Sequence, residues 1–346
     1  MTDVDYMRRC IQLAENGLGT VAPNPMVGAV VVCNGRIIGE GYHRCYGEAH
    51  AEVNAIASVT QPELLSQSTL YVNLEPCSHY GQTPPCSELI IQKKILNVVI
   101  ANVDPNPKVS GRGISMMREA GIDVKTGVLE AEGEWLNRRF FTFQRLQRPY
   151  IQLKWAQSAD GFLDRLREDN CETPPVQISS EFTKVLVHKA RTEESAIMVG
   201  TNTAIKDNPK LTARRWDGKN PVRVVVDRLL RIPTTYHLFD QTFQTLIYTE
   251  QKRESSNNLT YITINFAENM LGQIMDDLYN RDILSLIVEG GQLLLDAFVK
   301  ENLWDEARIE IAPLWLGEGV KAPKVDGQTI ASEVFDDIQI LTIRPN

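Results

Sequence analysis

The sequence predicts an α/β fold in two domains. Apolar strand-like runs alternate with amphipathic helical stretches along the whole chain, the pattern of sheets that carry helices on their faces. The 346 residues amount to roughly two domains at about 150 residues each. The pattern breaks at Leu146-Gln147-Arg148-Pro149, where a long charged helical stretch ends and a new apolar strand begins. Domains of 1–146 and 147–346 are therefore expected.

Residues 3–18 carry Val4, Met7, Ile11, Leu13, Ala14 and Leu18 near helical spacing, which predicts an amphipathic helix. Pro23-Asn24-Pro25 breaks it. Strands at about 28–33 and 36–41 flank Asn34-Gly35, a hairpin signal. A helix opens at His50-Ala51-Glu52 and runs to about Ser58. A strand at 69–74 leads into a loop, and Cys86 starts the next helix. Strand 97–101, helix 111–120, strand 122–126 and one helix over 130–144 complete the first half, with at least part of its sheet parallel. In the second half, strands are expected at 150–155, 195–199, 222–227, 245–249, 260–264, 284–288 and 306–312. Helices are expected near 180–192, 267–281 and 291–301. The polar, Pro-rich residues 164–176 read as a loop.

Composition narrows the partners. Apolar residues are 43% and charged residues 23%, near the globular average, so disordered and fibrous classes are excluded. The longest apolar run, Val27 to Cys33, is too short to span a bilayer. The start, Met1-Thr2-Asp3-Val4-Asp5, is acidic and no hydrophobic signal core follows, so a cytoplasmic location is expected. Lys plus Arg is 36 and Asp plus Glu is 44, giving 36 − 44 = −8 with no basic block. Neither nucleic acid nor a membrane surface is expected as a partner. Small anionic substrates remain open, because a few Arg residues suffice for them.

Six cysteines in a chain of this length and expected location do not form a disulfide framework. Cys10 and Cys33 sit in apolar patterns and read as core. Cys77 and Cys86 differ, because Pro, His and Gly surround them in Pro76-Cys77-Ser78-His79-Tyr80-Gly81-Gln82-Thr83-Pro84-Pro85-Cys86. With His50 they make one imidazole and two thiols, a set that suits one zinc ion per chain with the fourth position open. An open position marks a catalytic site, where water reaches a pKa near roughly 7. Glu52 lies two residues beyond His50, at the first turn of the same helix, and is placed to carry a proton without being a ligand. His-x-Glu followed by Pro-Cys is the signature of zinc deaminases. Alone, two cysteines nine positions apart read equally as buried thiols, and His-Ala-Glu means little; the conjunction at strand and helix ends carries the reading.

On these residues the chain resembles the bifunctional riboflavin-biosynthesis family, RibD or RibG, which joins a diaminohydroxyphosphoribosylaminopyrimidine deaminase to a 5-amino-6-(5-phosphoribosylamino)uracil reductase. Pro23-Asn24-Pro25-Met26-Val27-Gly28, Gly41-Tyr42-His43, Asp104-Pro105-Asn106-Pro107 and Gly111-Arg112-Gly113 extend the likeness. Eight residues between the cysteines separate it from nucleoside and tRNA deaminases, which use Cys-x-x-Cys. The resemblance implies a cytidine-deaminase-like three-layer domain followed by a dihydrofolate-reductase-like domain. It further implies that Asn24, His43, His79, Asp104 and Asn106 line the pyrimidine and ribose-phosphate pocket. Relatives often carry Lys or Arg where Gln82 stands, so a phosphate would need another donor here.

The second half has no zinc motif and no Gly-x-Gly-x-x-Gly. It does carry two apolar strands that end in small residues before helices, Ile197-Met198-Val199-Gly200-Thr201-Asn202-Thr203 and Leu286-Ile287-Val288-Glu289-Gly290-Gly291. Such turns let a backbone approach a phosphate. Lys154-Trp155-Ala156-Gln157-Ser158-x-Asp160-Gly161 resembles the opening of the family's reductase domain, and Asp207-Asn208-Pro209-x-Leu211-Thr212-x-Arg214 continues it. By that likeness Ala156, Thr203, Asp207, Gly290 and Gly291 touch NADPH, and Arg191, Leu211, Arg214 and Glu289 face substrate. Asp227-Arg228, after a strand, is placed at the adenosine ribose and its 2′-phosphate. Relatives often show Ser-x-Trp-Ile-Thr before the long helix, whereas this chain reads Pro175-Val176-Gln177-Ile178-Ser179.

The expected protein is therefore a zinc- and NADPH-dependent enzyme acting on a small phosphoribosyl pyrimidine, assembled as a homo-oligomer, dimer or tetramer. Alternatives are a working deaminase with a non-catalytic second domain, or a non-catalytic protein that binds zinc or a nucleotide. Glu52 speaks against the last, because a structural zinc site needs a fourth ligand and no base.

Overall fold

Six consecutive residues, Gly28–Cys33, are all buried. A strand buried at every position is covered on both faces, and its side chains divide by parity. Ala29 and Val31 pack into one apolar layer, Val30 and Val32 into the other. The computed structural model describes residues 1–80, 84–106, 109–167 and 173–346. It divides into two units, Met1–Gln147 and Arg148–Asn346. Gln82, Pro107 and Cys171 lie outside the described residues.

The first unit runs α1 (Asp3–Ala14), β1 (Gly28–Cys33), β2 (Arg36–Tyr42), α2 (Ala51–Ala57), β3 (Thr69–Leu74), α3 (Cys86–Gln92), β4 (Asn97–Asn102), α4 (Arg112–Glu119), β5 (Asp123–Thr126), α5 (Glu130–Leu136) and α6 (Arg138–Leu146). The sheet order is β2-β1-β3-β4-β5. β1 pairs antiparallel with β2 and β3, while β3, β4 and β5 are parallel. Ala51, Ala55 and Ile56 of α2, Ile90 of α3, and Ile114 and Met117 of α4 pack on one face. Tyr6, Met7, Cys10 and Leu13 of α1 cover the other. This is the three-layer arrangement.

One expected helix, 130–144, is two. Asn137 leaves helical geometry at φ −96°, ψ 22°. Its buried amide accepts the Met26 N–H at 2.8 Å and donates to the Met26 carbonyl at 2.8 Å. Two hydrogen bonds to a distant loop outweigh helix continuity there.

The second unit runs β6 (Tyr150–Ser158), β7 (Phe162–Asp164), α7 (Glu181–Glu193), β8 (Ala196–Gly200), α8 (Thr201–Asp207), β9 (Val222–Val226), β10 (Thr245–Thr249), β11 (Leu259–Thr263), α9 (Met270–Asn280), β12 (Ser285–Val288), α10 (Gln292–Lys300), β13 (Glu306–Ala312), β14 (Val320–Lys321), β15 (Gln328–Phe335) and β16 (Ile338–Arg344). A nine-stranded sheet has the order β11-β10-β9-β8-β12-β6-β13-β16-β15. It is parallel from β11 to β13, and β16 and β15 close it antiparallel. Leu271, Ile274 and Leu278 of α9 and Leu295 and Phe298 of α10 pack on one face. Ala190 of α7 and Ala204 of α8 pack on the other. The stretch expected as a loop from 164 begins inside a strand instead, since Asp164 of β7 pairs with Val320 of β14.

Candidate metal centre and cofactor cleft

His50 is the N-cap of α2, in extended backbone at φ −69°, ψ 165°, so its ring stands at the mouth of the helix and Glu52 falls in the first turn. α2 lies close on β2 because that strand carries glycines. A Cβ at Gly39 would come within 2.5 Å of the Ala55 carbonyl oxygen, and one at Gly41 within 2.3 Å of the Ala55 nitrogen. Cys77 follows the end of β3, and Cys86 is the first residue of α3. His50 Nδ1 lies 3.5 Å from Cys77 Sγ and 3.4 Å from Cys86 Sγ. All three donor atoms fall within 4.8 Å of one another.

That spacing fits zinc. Zn–S bonds of about 2.3 Å and Zn–N bonds of about 2.0–2.1 Å at a tetrahedral angle put nitrogen and sulfur about 3.6 Å apart. Among the described residues no fourth His, Cys, Asp or Glu joins the group. The Cys86 thiol and His50 hold the Cys77 pKa low, and its sulfur also accepts the Cys86 backbone N–H at 3.3 Å. Cys86 is pushed up by Cys77 and by burial.

Glu52 is 3% exposed. Burial pushes its carboxyl up to about 7, and the Cys77 sulfur adds to the shift. A buried carboxyl of this kind accepts and returns a proton near neutral pH.

Of the expected pocket residues, His43 stands beside His50 and Asp104 lies near Cys77. The Asn24 amide lies 3.0 Å from His43 Nε2, His43 Nδ1 faces the Ala49 carbonyl at 3.2 Å, and the His43 and His50 rings meet edge to face at 5.4 Å. Burial lowers the His43 pKa. Burial raises the Asp104 carboxyl to about 6, and His79 and Cys77 are close enough to act on it. Asp104 Oδ1 accepts the Asn106 N–H at 2.8 Å. The sequence reading missed the residues that hold this wall. Asn73, fully buried on β3, accepts the Gly28 N–H at 2.7 Å and donates to the Met26 carbonyl at 3.0 Å. With Asn137 it fixes the segment that follows Asn24.

In the second unit a cleft of about 710 Å³ opens where β8 and β12 give way to α8 and α10. This is the carboxyl edge of a parallel sheet, where α/β folds bind ligands. Ala156, Thr203, Asp207, Glu289, Gly290 and Gly291 all line it. A Cβ on Gly291 would sit 3.0 Å from Thr203 Oγ1, so the two strand-to-helix turns nearly touch.

Arg191 reaches Glu289 by two bonds, Nε to Oε1 at 3.0 Å and Nη2 to Oε2 at 2.6 Å. Burial works to raise the Glu289 carboxyl, but Arg191, and Lys154 after it, hold it below the usual range. Lys154 lines the cleft and pairs with the buried Glu310 at 3.0 Å, and Glu310 accepts the Ser179 hydroxyl at 2.6 Å. Sequence reading did not single out Lys154 by itself; a charged residue in the middle of an otherwise apolar central strand was the available signal.

Arg191 is not itself among the residues lining the cleft, and three further expected residues stand elsewhere. Leu211 packs in the core with Val199 and Ile287, at φ +53°. Arg214 lines a separate cavity of about 520 Å³ with Lys210 and His237. Arg228 is exposed and pairs with Glu250 at 2.9 Å, whereas Arg231 lines the cleft. Asp227 is fully buried, and its oxygens accept the Arg231 and Ile232 N–H groups at 3.0 and 2.9 Å.

Comparison with known proteins gives both halves a family. Residues 1–102 match the cytidine and deoxycytidylate deaminase zinc-binding region, and residues 149–344 match the RibD C-terminal domain. A riboflavin biosynthesis protein RibD from Aquifex aeolicus is 41% identical over 92% of this chain and 89% of its own. The RibD of Bacillus amyloliquefaciens is 41% identical over 96% of this chain and 89% of its own. The crystal structure of a diaminohydroxyphosphoribosylaminopyrimidine deaminase/5-amino-6-(5-phosphoribosylamino)uracil reductase from Thermotoga maritima is 36% identical, covers 99% of both chains and superposes with a TM-score of 0.89. No described helix is long and apolar enough to cross a membrane. With a zinc-binding deaminase domain followed by a RibD reductase domain, matched along nearly its whole length, the chain belongs to the RibD family of bifunctional riboflavin-biosynthesis enzymes.

Proposed function

We propose that the two units catalyse consecutive steps on one phosphoribosyl pyrimidine. The first unit hydrolyses the exocyclic amine of 2,5-diamino-6-(5-phosphoribosylamino)pyrimidin-4(3H)-one. The second reduces the ribosyl group of the product to ribityl. The observation that carries this is the convergence of His50, Cys77 and Cys86 beside the buried Glu52.

His50, Cys77 and Cys86 would hold zinc, which supplies Lewis acidity that makes water nucleophilic near neutral pH. Glu52 takes a proton from the attacking water and returns it to the departing nitrogen, so that C–O forms, C–N breaks and ammonia leaves. Asn24, His43, His79, Asp104 and Asn106 orient the pyrimidine and its ribose phosphate. Burial lowers the His43 pKa, which favours the neutral ring, and its Nδ1 faces the Ala49 carbonyl.

In the second unit Ala156, Thr203, Asp207, Gly290 and Gly291 would hold NADPH, which supplies a hydride to ribosyl C1′. Glu289, set by Arg191, and Lys154 face the sugar from the cleft wall. The C1′–O4′ bond breaks and O4′ gains a proton. Assembly as a cytoplasmic dimer or tetramer belongs to the same reading and is checked by sedimentation.

The test is a two-channel assay on the purified chain. Ammonia release and NADPH absorbance are followed separately, with the diamino substrate and then with its deaminated product. Ammonia without NADPH oxidation on either compound would leave only a deaminase.

A further inference from the structure

Two residues before Cys77 stands a carboxylate that the reaction does not use. Glu75 follows the last residue of β3, and its backbone N–H donates to the Asn102 carbonyl at 2.9 Å. Its side chain is 4% exposed. Both oxygens are occupied by backbone N–H donors. Oε2 accepts from Asp104 at 3.2 Å and Gly111 at 3.0 Å. Oε1 accepts from Gly113 at 3.0 Å and Ile114 at 3.3 Å. The four donors come from the beginning and the end of one loop and from the first turn of α4. The contact between these segments is close: a Cβ on Gly113 would lie 2.2 Å from the Pro76 carbonyl oxygen.

We propose that Glu75 is a positioning residue for deamination, locking the substrate loop that carries Asp104 and Asn106 in register with the metal-ligand segment that carries Cys77. The inference rests on the deaminase reading above. A carboxylate is suited to the task because it is acceptor-only and takes several N–H donors at once. It also sits favourably at the start of a helix. Because one side chain grips both loop ends, the pocket wall is built before substrate arrives. Loss of the grip leaves the zinc ligands in place and frees the wall.

The test is Glu75→Gln in the full-length, zinc-loaded enzyme. Glutamine keeps the shape but turns one acceptor into a donor facing two backbone N–H groups. Zinc content is expected to stay at the parent value, and reduction of the supplied deaminated product is expected to be unchanged. KM for the diamino substrate is expected to rise by roughly tenfold or more, the scale of two buried donors left unpaired, while kcat moves far less. A helix cap with only a structural role would change thermal stability without this split between KM and kcat. An unchanged KM in a variant that deaminates would overturn the proposal, whereas absence of deamination by the parent enzyme would overturn the deaminase reading itself.

A second measurement needs no variant. In the ligand-free parent holoenzyme, the Asp104, Gly111 and Gly113 amides are expected to exchange slowly with deuterium. Fast exchange that slows only when pyrimidine is added would contradict a prebuilt wall, even if Glu75→Gln failed to fold.

Discussion

Arg191 and Glu289 form a two-point ion pair, 3.0 Å from Nε and 2.6 Å from Nη2, with a third N–H of the same guanidinium 3.0 Å from the Thr212 carbonyl. Three of its five N–H donors are thus spent on the protein, two of them on one carboxylate. Arg191 therefore sets Glu289 at the cleft wall.

Breaking this pair from one side should be expensive. Both side chains are 13% exposed. Arg191→Met leaves a buried carboxylate unpaired and is expected to cost about 3–5 kcal/mol, read from the urea midpoint of the second unit's transition. Replacing Glu289 as well, with Leu, should recover much of that stability but no reductase activity. Equal losses in the single and double variants would mean that the pair is not the unit described.

His188 should make stability pH-dependent in acid. It is 5% exposed. Burial, with Arg191 and Arg214 nearby, lowers its pKa from 6.5 to about 4, against a smaller opposing effect from the Thr212 backbone and Glu289. Between those values the unfolded chain binds the proton and the folded chain does not. Stability should therefore fall as pH drops from 6.5 to about 4 and be indifferent to this group above that window. Urea midpoints across the window are expected to show the parent taking up close to one proton more on unfolding than His188→Gln does, and equal pH slopes in the two would contradict this.

The cofactor should distinguish Arg231 from Arg228. Arg231 lines the cleft, while Arg228 is exposed and paired with Glu250. Arg231→Gln is expected to weaken NADPH binding by roughly tenfold, the worth of one charge-assisted contact, with NADH little changed. Arg228→Gln should leave both titrations as they are. The opposite pattern would restore the placement expected from sequence.

Metal content follows the geometry. The purified chain is expected to hold about one zinc, and Cys86→Ser should lose it. Full retention in both Cys77→Ser and Cys86→Ser would remove the centre from these residues.

The metal centre was legible in the sequence because each donor sits at an element end that a short motif marks. His50 opens a helix, Pro76 precedes Cys77, and Cys86 opens a helix. The strand-to-helix glycines of the cleft were legible for the same reason. The residues that hold these parts were not. Asn73 and Glu75 are single polar residues around the end of an apolar strand, and nothing local says which distant N–H they meet. Asn137 read as one polar position in a helix, because its partner Met26 lies 111 residues away. The β15–β16 hairpin was missed for a different reason. Its turn uses Asp336 and Asp337 at φ +48° and +65°, where the sequence signal is normally Asn-Gly. Leu211 shows the limit of a motif: the resemblance implied a residue facing substrate, but its side chain packs in the core.

The central claim is that Glu52 moves the proton in deamination and is not a zinc ligand. Glu52→Gln keeps size and hydrogen bonding and removes basicity. Zinc measured by elemental analysis should stay at the parent value, while ammonia release falls by roughly 10² to 10⁴. NADPH oxidation on the supplied deaminated product should continue at close to the parent rate. Ammonia release at the parent rate from a zinc-loaded Glu52→Gln enzyme would contradict the account.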